Sequence, residues 1–281
     1  MPQSPHQLYQ DAVAALSSAG VPSPEVDARA LIEHVLGQPT YLWPPTVNQE
    51  TADAIETLIA RRVSREPLQH ILGKQWFMGL ELCASPAAMC VRPETEVMTQ
   101  WAVEWLKTRP QARVLDLCTG SGAIALAIAD RYRDAAVIAV EISPVACDLA
   151  RANARVLDLP IDIITADATE FRPEWERNFD LVIANPPYVP PRNLSLEVAH
   201  DPELALWGGG ADGLDIPSRI IAVAAQYLTA AGVFLMEHDD TQGRAVRALA
   251  EQRGLTRVKT HQDLAGRDRF VVGFAPETID P

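Results

Sequence analysis

Residues 114–129 read VLDLCTGSGAIALAIA. A short apolar strand ends at Leu117, a loop of small residues follows (Cys118-Thr119-Gly120-Ser121-Gly122), and a helical run opens at once. In an open α/β sheet, ligands sit beyond the carboxyl ends of the strands, at the first crossover. Small residues there let backbone approach a ligand, and the helix N-terminus presents free N–H groups. A dinucleotide site wants G-x-G-x-x-G. Cys118 stands at its first glycine position and Ala123 or Ile124 at its third, so the pyrophosphate pattern fits poorly. The loop fits a ligand without a diphosphate, such as S-adenosyl-L-methionine.

Outward from that stretch the chain alternates. Residues 93–109 read as a helix, followed by strand 112–117, helix 122–132, strand 135–140 and helix 143–157. Strands 161–166 and 179–184 come next, then a helix from about 215 to 229, strand 233–238 and helix 243–254. Two last strands lie near 255–260 and 269–274, with no helix between them, so they are expected to pair antiparallel. Seven apolar runs interleaved with helices predict a mostly parallel, seven-stranded, Rossmann-like α/β sheet.

The first seventy residues differ. PHQLYQDAVAALSSAG (5–20) has helical spacing at Leu8, Val13 and Leu16, with Gly20 as its stop. Ser23-Pro24 marks the next helix start, which runs to Gly37. A third helix covers about 50–63, with Ile55, Leu58 and Ile59 on one face. A small helical bundle is expected over 1–70, a β-hairpin joint with Gly73 and Gly79 over 71–91, and the α/β domain over 92–281. The bundle reads equally as a prop or as a partner-recognition module.

Composition narrows the function. The chain has 281 residues, 48% hydrophobic and 22% charged, which suits a globular protein. No run approaches the ~20 apolar residues of a membrane span, and the N-terminus has no basic start and no apolar core of a signal peptide. The formal net charge is −13. That disfavours stable nucleic-acid binding, which needs a basic footprint, and suits a basic protein partner. Cys83, Cys90, Cys118 and Cys147 form no C-x-x-C pair and read as reduced, cytoplasmic thiols.

Two further acids and one tetrapeptide carry chemistry. Glu141 closes the second strand, some twenty residues past the loop, where a carboxylate accepts ribose hydroxyls. Asp167 ends the third strand and reaches toward an adenine amino group, with Ala168 lining the ring. FDLVIANPPY (179–188) is a strand that stops in Asn185-Pro186-Pro187-Tyr188. An amide or aniline-like nitrogen is a poor nucleophile because its lone pair is delocalised. A site that accepts both of its N–H hydrogens orients it and favours charge developing on it. The Asn185 side-chain oxygen is one such acceptor and the Pro186 carbonyl the other. The prolines, Pro187 included, stiffen the loop, and Tyr188 offers a flat face to stack on the target group. His238, Asp239 and Asp240 follow the fifth strand; with no second ligand cluster nearby, they read as loop polar residues and not a metal site.

Residues 66–98, with DLCTGSGAIALAIA, NPPYVP, ELALWGGGADGLD (203–215) and GRDRF (266–270), resemble the release-factor glutamine N5-methyltransferases, the HemK/PrmC family. The resemblance covers essentially the whole chain. It implies a helical N-terminal domain, a hairpin joint and a seven-stranded methyltransferase domain. It further implies that the substrate is the glutamine of the Gly-Gly-Gln loop in peptide chain release factors. By the same resemblance Asn185 binds the target amide beside the cofactor, and Cys118–Gly122 with Glu141 bind S-adenosylmethionine. Family members commonly carry glycine where Cys118 stands, and E-I-G where this chain has Glu237-His238-Asp239. Two neighbouring activities share the chemistry: glutamine methylation of a ribosomal protein, and N6-methylation of adenine in nucleic acid.

Overall fold

The computed structural model describes residues 3–191 and 196–277. The outermost residues of the expected first and last domains, 1–2 and 278–281, lie outside that range. The backbone divides into two compact units. One comprises residues 1–74 together with 194–200, the other residues 75–193 and 201–281. The boundary expected near 70 takes no account of the return of 194–200 to the first unit.

The first unit is helical: α1 (Pro5–Ser18), α2 (Pro24–Leu36), α3 (Gln49–Val63) and the short α4 (Leu68–Leu72). Proline occupies the first turn of α1 and of α2, where its missing N–H costs nothing. Gly20 (φ +71°) and Gly37 (φ +65°) follow the ends of α1 and α2 in the left-handed conformation expected of helix stops. Ser23 stands at the cap of α2, but its side chain makes no capping bond. The cap that does form is at α3, where Asn48 accepts from the Thr51 N–H at 2.8 Å. The core is built from Leu8, Ala12 and Leu16 of α1, Leu31 and Ile32 of α2, and Ala52, Ile55 and Ile59 of α3. Val13 and Leu58, expected on the buried faces, are only partly buried. Leu8, Ala12 and Leu16 stand four residues apart and so share one face of α1. Within this core Arg62 donates to Asp27 at 2.7 Å, with both residues buried.

The second unit opens with a hairpin, β1 (Lys74–Phe77) and β2 (Leu80–Cys83). Met78 and Gly79 both have positive φ, the turn that matches strand twist. The hairpin is far shorter than the joint expected over 71–91. Next come α5 (Pro93–Leu106), β3 (Arg113–Leu117), α6 (Ala123–Arg131), β4 (Ala136–Glu141), α7 (Pro144–Leu157), β5 (Asp162–Thr165) and β6 (Phe179–Ala184). After them come α8 (Asp215–Tyr227), β7 (Leu228–Glu237), α9 (Gly243–Gln252), β8 (Thr256–Gln262) and β9 (Asp268–Phe274). The helix expected to reach 229 ends at Tyr227, and the chain enters β7 immediately.

The sheet has seven strands in the order β5-β4-β3-β6-β7-β9-β8. β3 to β7 run parallel, and β9 is antiparallel to both β7 and β8. Its central strands β3, β6 and β7 are buried on both faces, so alternate residues feed two cores. Val114, Leu181, Ile183 and Leu235 pack toward α5 and α6. Leu115, Leu117, Val182, Phe234 and Met236 pack toward α8 and α9. Near-continuous apolar runs are what two covered faces require.

Candidate functional site

The strand order reverses between β3 and β6, because the chain winds outward through β4 and β5 before returning to β6. Ligands in such sheets bind at that switch point. The register pairs Leu117 with Ala184, so Cys118 and Asn185 leave neighbouring strands at the same end. Glu141 ends β4, the strand on the other side of β3, and Asp167 follows β5 by two residues. A cavity of about 280 Å3 lies over these ends. Cys118, Thr119, Gly120, Ser121, Glu141, Asp167, Ala168, Asn185 and Pro187 all line it. Of the other expected site residues, Gly122 caps α6, Pro186 is buried and Tyr188 faces a separate cleft.

The loop is held by its own backbone. The Thr119 N–H donates to the Val140 carbonyl at 3.0 Å, and the Gly122 N–H to the Thr119 carbonyl at 2.9 Å. Cys118 adopts φ +62°, the left-handed region that favours glycine. Burial, and then the neighbouring Glu141 and Asp116 carboxylates, push its thiol well above the usual range, so it stays protonated and is no nucleophile. Beneath the loop, Asp116 is fully buried. Its Oδ2 accepts from the Thr119 hydroxyl at 2.5 Å and the Ala125 N–H at 3.2 Å. Its Oδ1 meets no hydrogen-bond partner among the described residues. Burial pushes its carboxyl up to about 7.

Both Glu141 oxygens are oriented by backbone: Oε2 accepts from the Gly120 N–H and Oε1 from the Ser143 N–H, each at 2.9 Å. A carboxylate has lone pairs to spare after two such bonds. Asp167 accepts from the Thr169 N–H and hydroxyl at 2.8 and 2.7 Å. Burial raises its carboxyl, but the bonds from Thr169 outweigh that and hold it below the usual range. Two carboxylates face the cavity against one cation, Arg219. Such a lining suits hydroxyl and amino groups and a ligand carrying positive charge, and repels a diphosphate. The residues present therefore fit S-adenosylmethionine.

Asn185 belongs to a chain of hydrogen bonds. Its Nδ2 donates to the Thr95 hydroxyl at 3.3 Å. Thr95 donates to Glu237 Oε2 at 2.7 Å, and Tyr188 donates to Glu237 Oε1 at 2.7 Å. Thr95 and Glu237 are buried, at 4% and 1% exposure. Burial raises the Glu237 carboxyl, while the bonds from Thr95 and Tyr188 and the nearby Arg269 oppose the rise. Burial and the Glu237 charge push the Tyr188 phenol well above its usual range. The tyrosine is thus tethered by its hydroxyl on the side of the cleft lined by Arg92, Glu237 and Arg269.

The Asn185–Tyr188 loop rests on the glycine-rich segment. The Val189 N–H donates to the Leu206 carbonyl at 2.8 Å, and the Gly208 N–H to the Val189 carbonyl at 3.1 Å. A Cβ on Gly213 would lie 2.4 Å from the Tyr188 carbonyl oxygen, and one on Gly208 2.8 Å from the Tyr188 Cα. No side chain fits at either place. Gln242 clips both strands of this contact, donating to the carbonyls of Tyr188 and Asp212 at 2.8 Å. His238 and Asp239, expected as loop residues, do follow β7 but are buried at 0% and 4% exposure. Burial lowers the His238 imidazole and keeps it neutral. Thr95, Glu237, Gln242 and Gly213 are the residues that sequence reasoning assigned no role. The available signal was a hydroxyl in the first turn of an otherwise apolar helix face, inside the R-P-E-T-E stretch.

Residues 7–73 match the PrmC N-terminal domain and residues 81–202 the methyltransferase small domain. The chain is similar to the release factor glutamine methyltransferase of Mycolicibacterium smegmatis, at 42% identity over 92% of this chain and 94% of that protein. It is 39% identical to that of Corynebacterium glutamicum, over 94% and 96%. The figure for Deinococcus radiodurans is 38%, again over 94% and 96%. Among solved structures, a methyltransferase from Pyrococcus furiosus shares the fold, with TM-score 0.53 and 16% identity over 70% of this chain and 90% of that one. No helix among the described residues is long and apolar enough to cross a membrane. By sequence identity along nearly its whole length, the chain belongs to the release factor glutamine methyltransferase family.

Proposed function

We propose that this protein transfers a methyl group from S-adenosyl-L-methionine to the side-chain N5 nitrogen of the glutamine in the Gly-Gly-Gln motif of peptide chain release factors. One observation carries the reading: Asn185 and the loop residues Cys118 to Ser121 open onto a single cavity from adjacent strands. The cofactor supplies an electrophilic sulfonium methyl group. The chain's residues bind and orient. Glu141, aligned by Gly120 and Ser143, accepts ribose hydroxyls. Asp167 and Ala168 serve the adenine, and the small loop residues allow backbone contact.

Asn185 Oδ1 and the Pro186 carbonyl accept the two N–H hydrogens of the substrate amide, which orients its nitrogen and stabilises positive charge developing there. Tyr188, on the separate cleft and bonded through its hydroxyl to Glu237, steadies the loop that carries Asn185. The nitrogen loses its proton to water once alkylated, so no strong base is required, and holding the two reactants in line does most of the work. The excess of negative charge favours a basic protein surface as partner.

The test is incubation with S-adenosylmethionine and an unmodified release factor, followed by mass spectrometry of the Gly-Gly-Gln peptide. One added methyl on the glutamine is expected. An unmodified glutamine with cofactor bound overturns the substrate. Asn185→Ala is expected to lower kcat by about 100-fold or more while the fold and cofactor binding persist. Transfer at the parent rate would remove Asn185 from the acceptor role.

A further inference from the structure

We infer that Thr95 and Glu237 are positioning residues that select which end of the Asn185 carboxamide meets the methyl-accepting nitrogen. The inference rests on the reading of Asn185 as an acceptor. A carboxamide has two ends of nearly equal size and opposite hydrogen-bonding sense. Packing alone cannot tell them apart, so a polar neighbour must. Presented the wrong way round, Asn185 would offer N–H groups to a substrate amide that needs an acceptor.

The neighbour here is the Thr95 hydroxyl, which has one proton. That proton goes to Glu237 Oε2 at 2.7 Å. The Thr95 oxygen then has only lone pairs left for Asn185, and it takes the Nδ2 donor at 3.3 Å. With Nδ2 committed, Oδ1 is the end available to a ligand. Glu237 fixes the direction of the whole chain because its other oxygen also receives a proton, from the Tyr188 hydroxyl at 2.7 Å. With both of its oxygens accepting, Glu237 has no proton to give back along the chain. Donation therefore runs one way, from Asn185 to Thr95 to Glu237 and from Tyr188 to Glu237. The centre of the chain lies out of water: Thr95 and Glu237 are almost fully buried, where an unmade bond is expensive. The two residues come from the first turn of α5 and the end of β7. The R-P-E-T-E stretch thereby acquires a chemical role.

Three substitutions test this with the intact protein, scored by kcat on the release factor, cofactor Kd and melting temperature. Thr95→Val keeps the shape and removes the hydroxyl. Its kcat is expected to fall roughly 10- to 100-fold, with cofactor Kd unchanged within about twofold. Thr95→Ser keeps the hydroxyl and should stay within about threefold of the parent. Glu237→Gln keeps the volume but returns a proton to the chain, so Thr95 can donate toward Asn185 and turn its amide. Its kcat should fall as in Thr95→Val. Parent-like kcat in Thr95→Val overturns the inference, as does an equal loss in Thr95→Ser, which would mark a packing role. Should Thr95→Val not fold, a folded Glu237→Gln with parent-like kcat overturns it. A parent protein that leaves the release factor unmethylated defeats the underlying reading instead; an active parent matched by an active Thr95→Val defeats only this inference.

Discussion

Cys118 occupies a left-handed backbone position, φ +62°, where a Cβ costs roughly 1–2 kcal/mol. The strain sits in the loop that lines the cavity, at a position where glycine would be unstrained. Comparing Cys118→Gly with Cys118→Ala separates backbone from packing, since both lose the thiol. The glycine variant is expected to be more stable than the alanine variant by about 1 kcal/mol, read from urea midpoints. Equal midpoints would show that the loop relaxes its φ when the residue changes. At this scale the tetrapeptide at 185–188 was legible because two prolines after an apolar strand are rare and chemically pointed. Thr95 was not legible, because nothing local marks one hydroxyl as the partner of an amide ninety residues away.

At the scale of elements, β3 and α6 are joined through Asp116, which binds the Thr119 hydroxyl and the Ala125 N–H at the start of the helix. Its carboxyl is raised to about 7 in the folded protein, against about 3.9 when unfolded. The folded chain therefore holds a proton that the unfolded chain has lost between those values. Stability falls as pH rises from about 4 to about 7 and levels off above. Asp116→Asn keeps the acceptor and cannot ionise. Its stability relative to the parent is expected to increase across that window and to be constant beyond it, measured by urea unfolding at pH 5, 6, 7 and 8. A difference independent of pH would mean that Asp116 titrates normally. The kinds and order of elements could be read from apolar periodicity, whereas their ends could not. α8 yields to β7 at Leu228, earlier than the helical pattern suggests. There the strand's pairing with Phe179 outweighs local helix preference, as tertiary context commonly does.

For the molecule as a whole, the first unit is not one stretch of chain. Residues 194–200 belong with 1–74, and Glu197 supplies the tie. It accepts from Arg65 Nε at 2.8 Å and from the Arg65 Nη2, and Arg62 Nη2 donates to it at 3.3 Å. Burial raises the Glu197 carboxyl, but the arginine bonds outweigh it and hold it below the usual range. Its stabilisation is thus present above about pH 4.3, the ordinary carboxylate value, and disappears as pH falls through the lowered value. Glu197→Gln is expected to cost about 1 kcal/mol at pH 7, given partial solvent screening, and less at pH 3. Parallel denaturation curves at the two pH values check it. A variant as stable as the parent at pH 7 would show that these ion pairs do not hold the segment.

The sequence by itself determined the class of fold, the number of strands, the antiparallel last pair, the glycine loop and the N-P-P-Y turn. Each of these is written in neighbouring residues, through apolar period, small side chains or proline, and local physics suffices to read it. Only the tertiary structure decided which distant residues share a site. The strand register sets Cys118 beside Asn185, the close approach of Gly213 props the loop that Asn185 begins, and burial makes Thr95 and Glu237 bond to each other instead of to water. Such partnerships depend on what is brought near and what is dried, and neither is a property of any short stretch of chain.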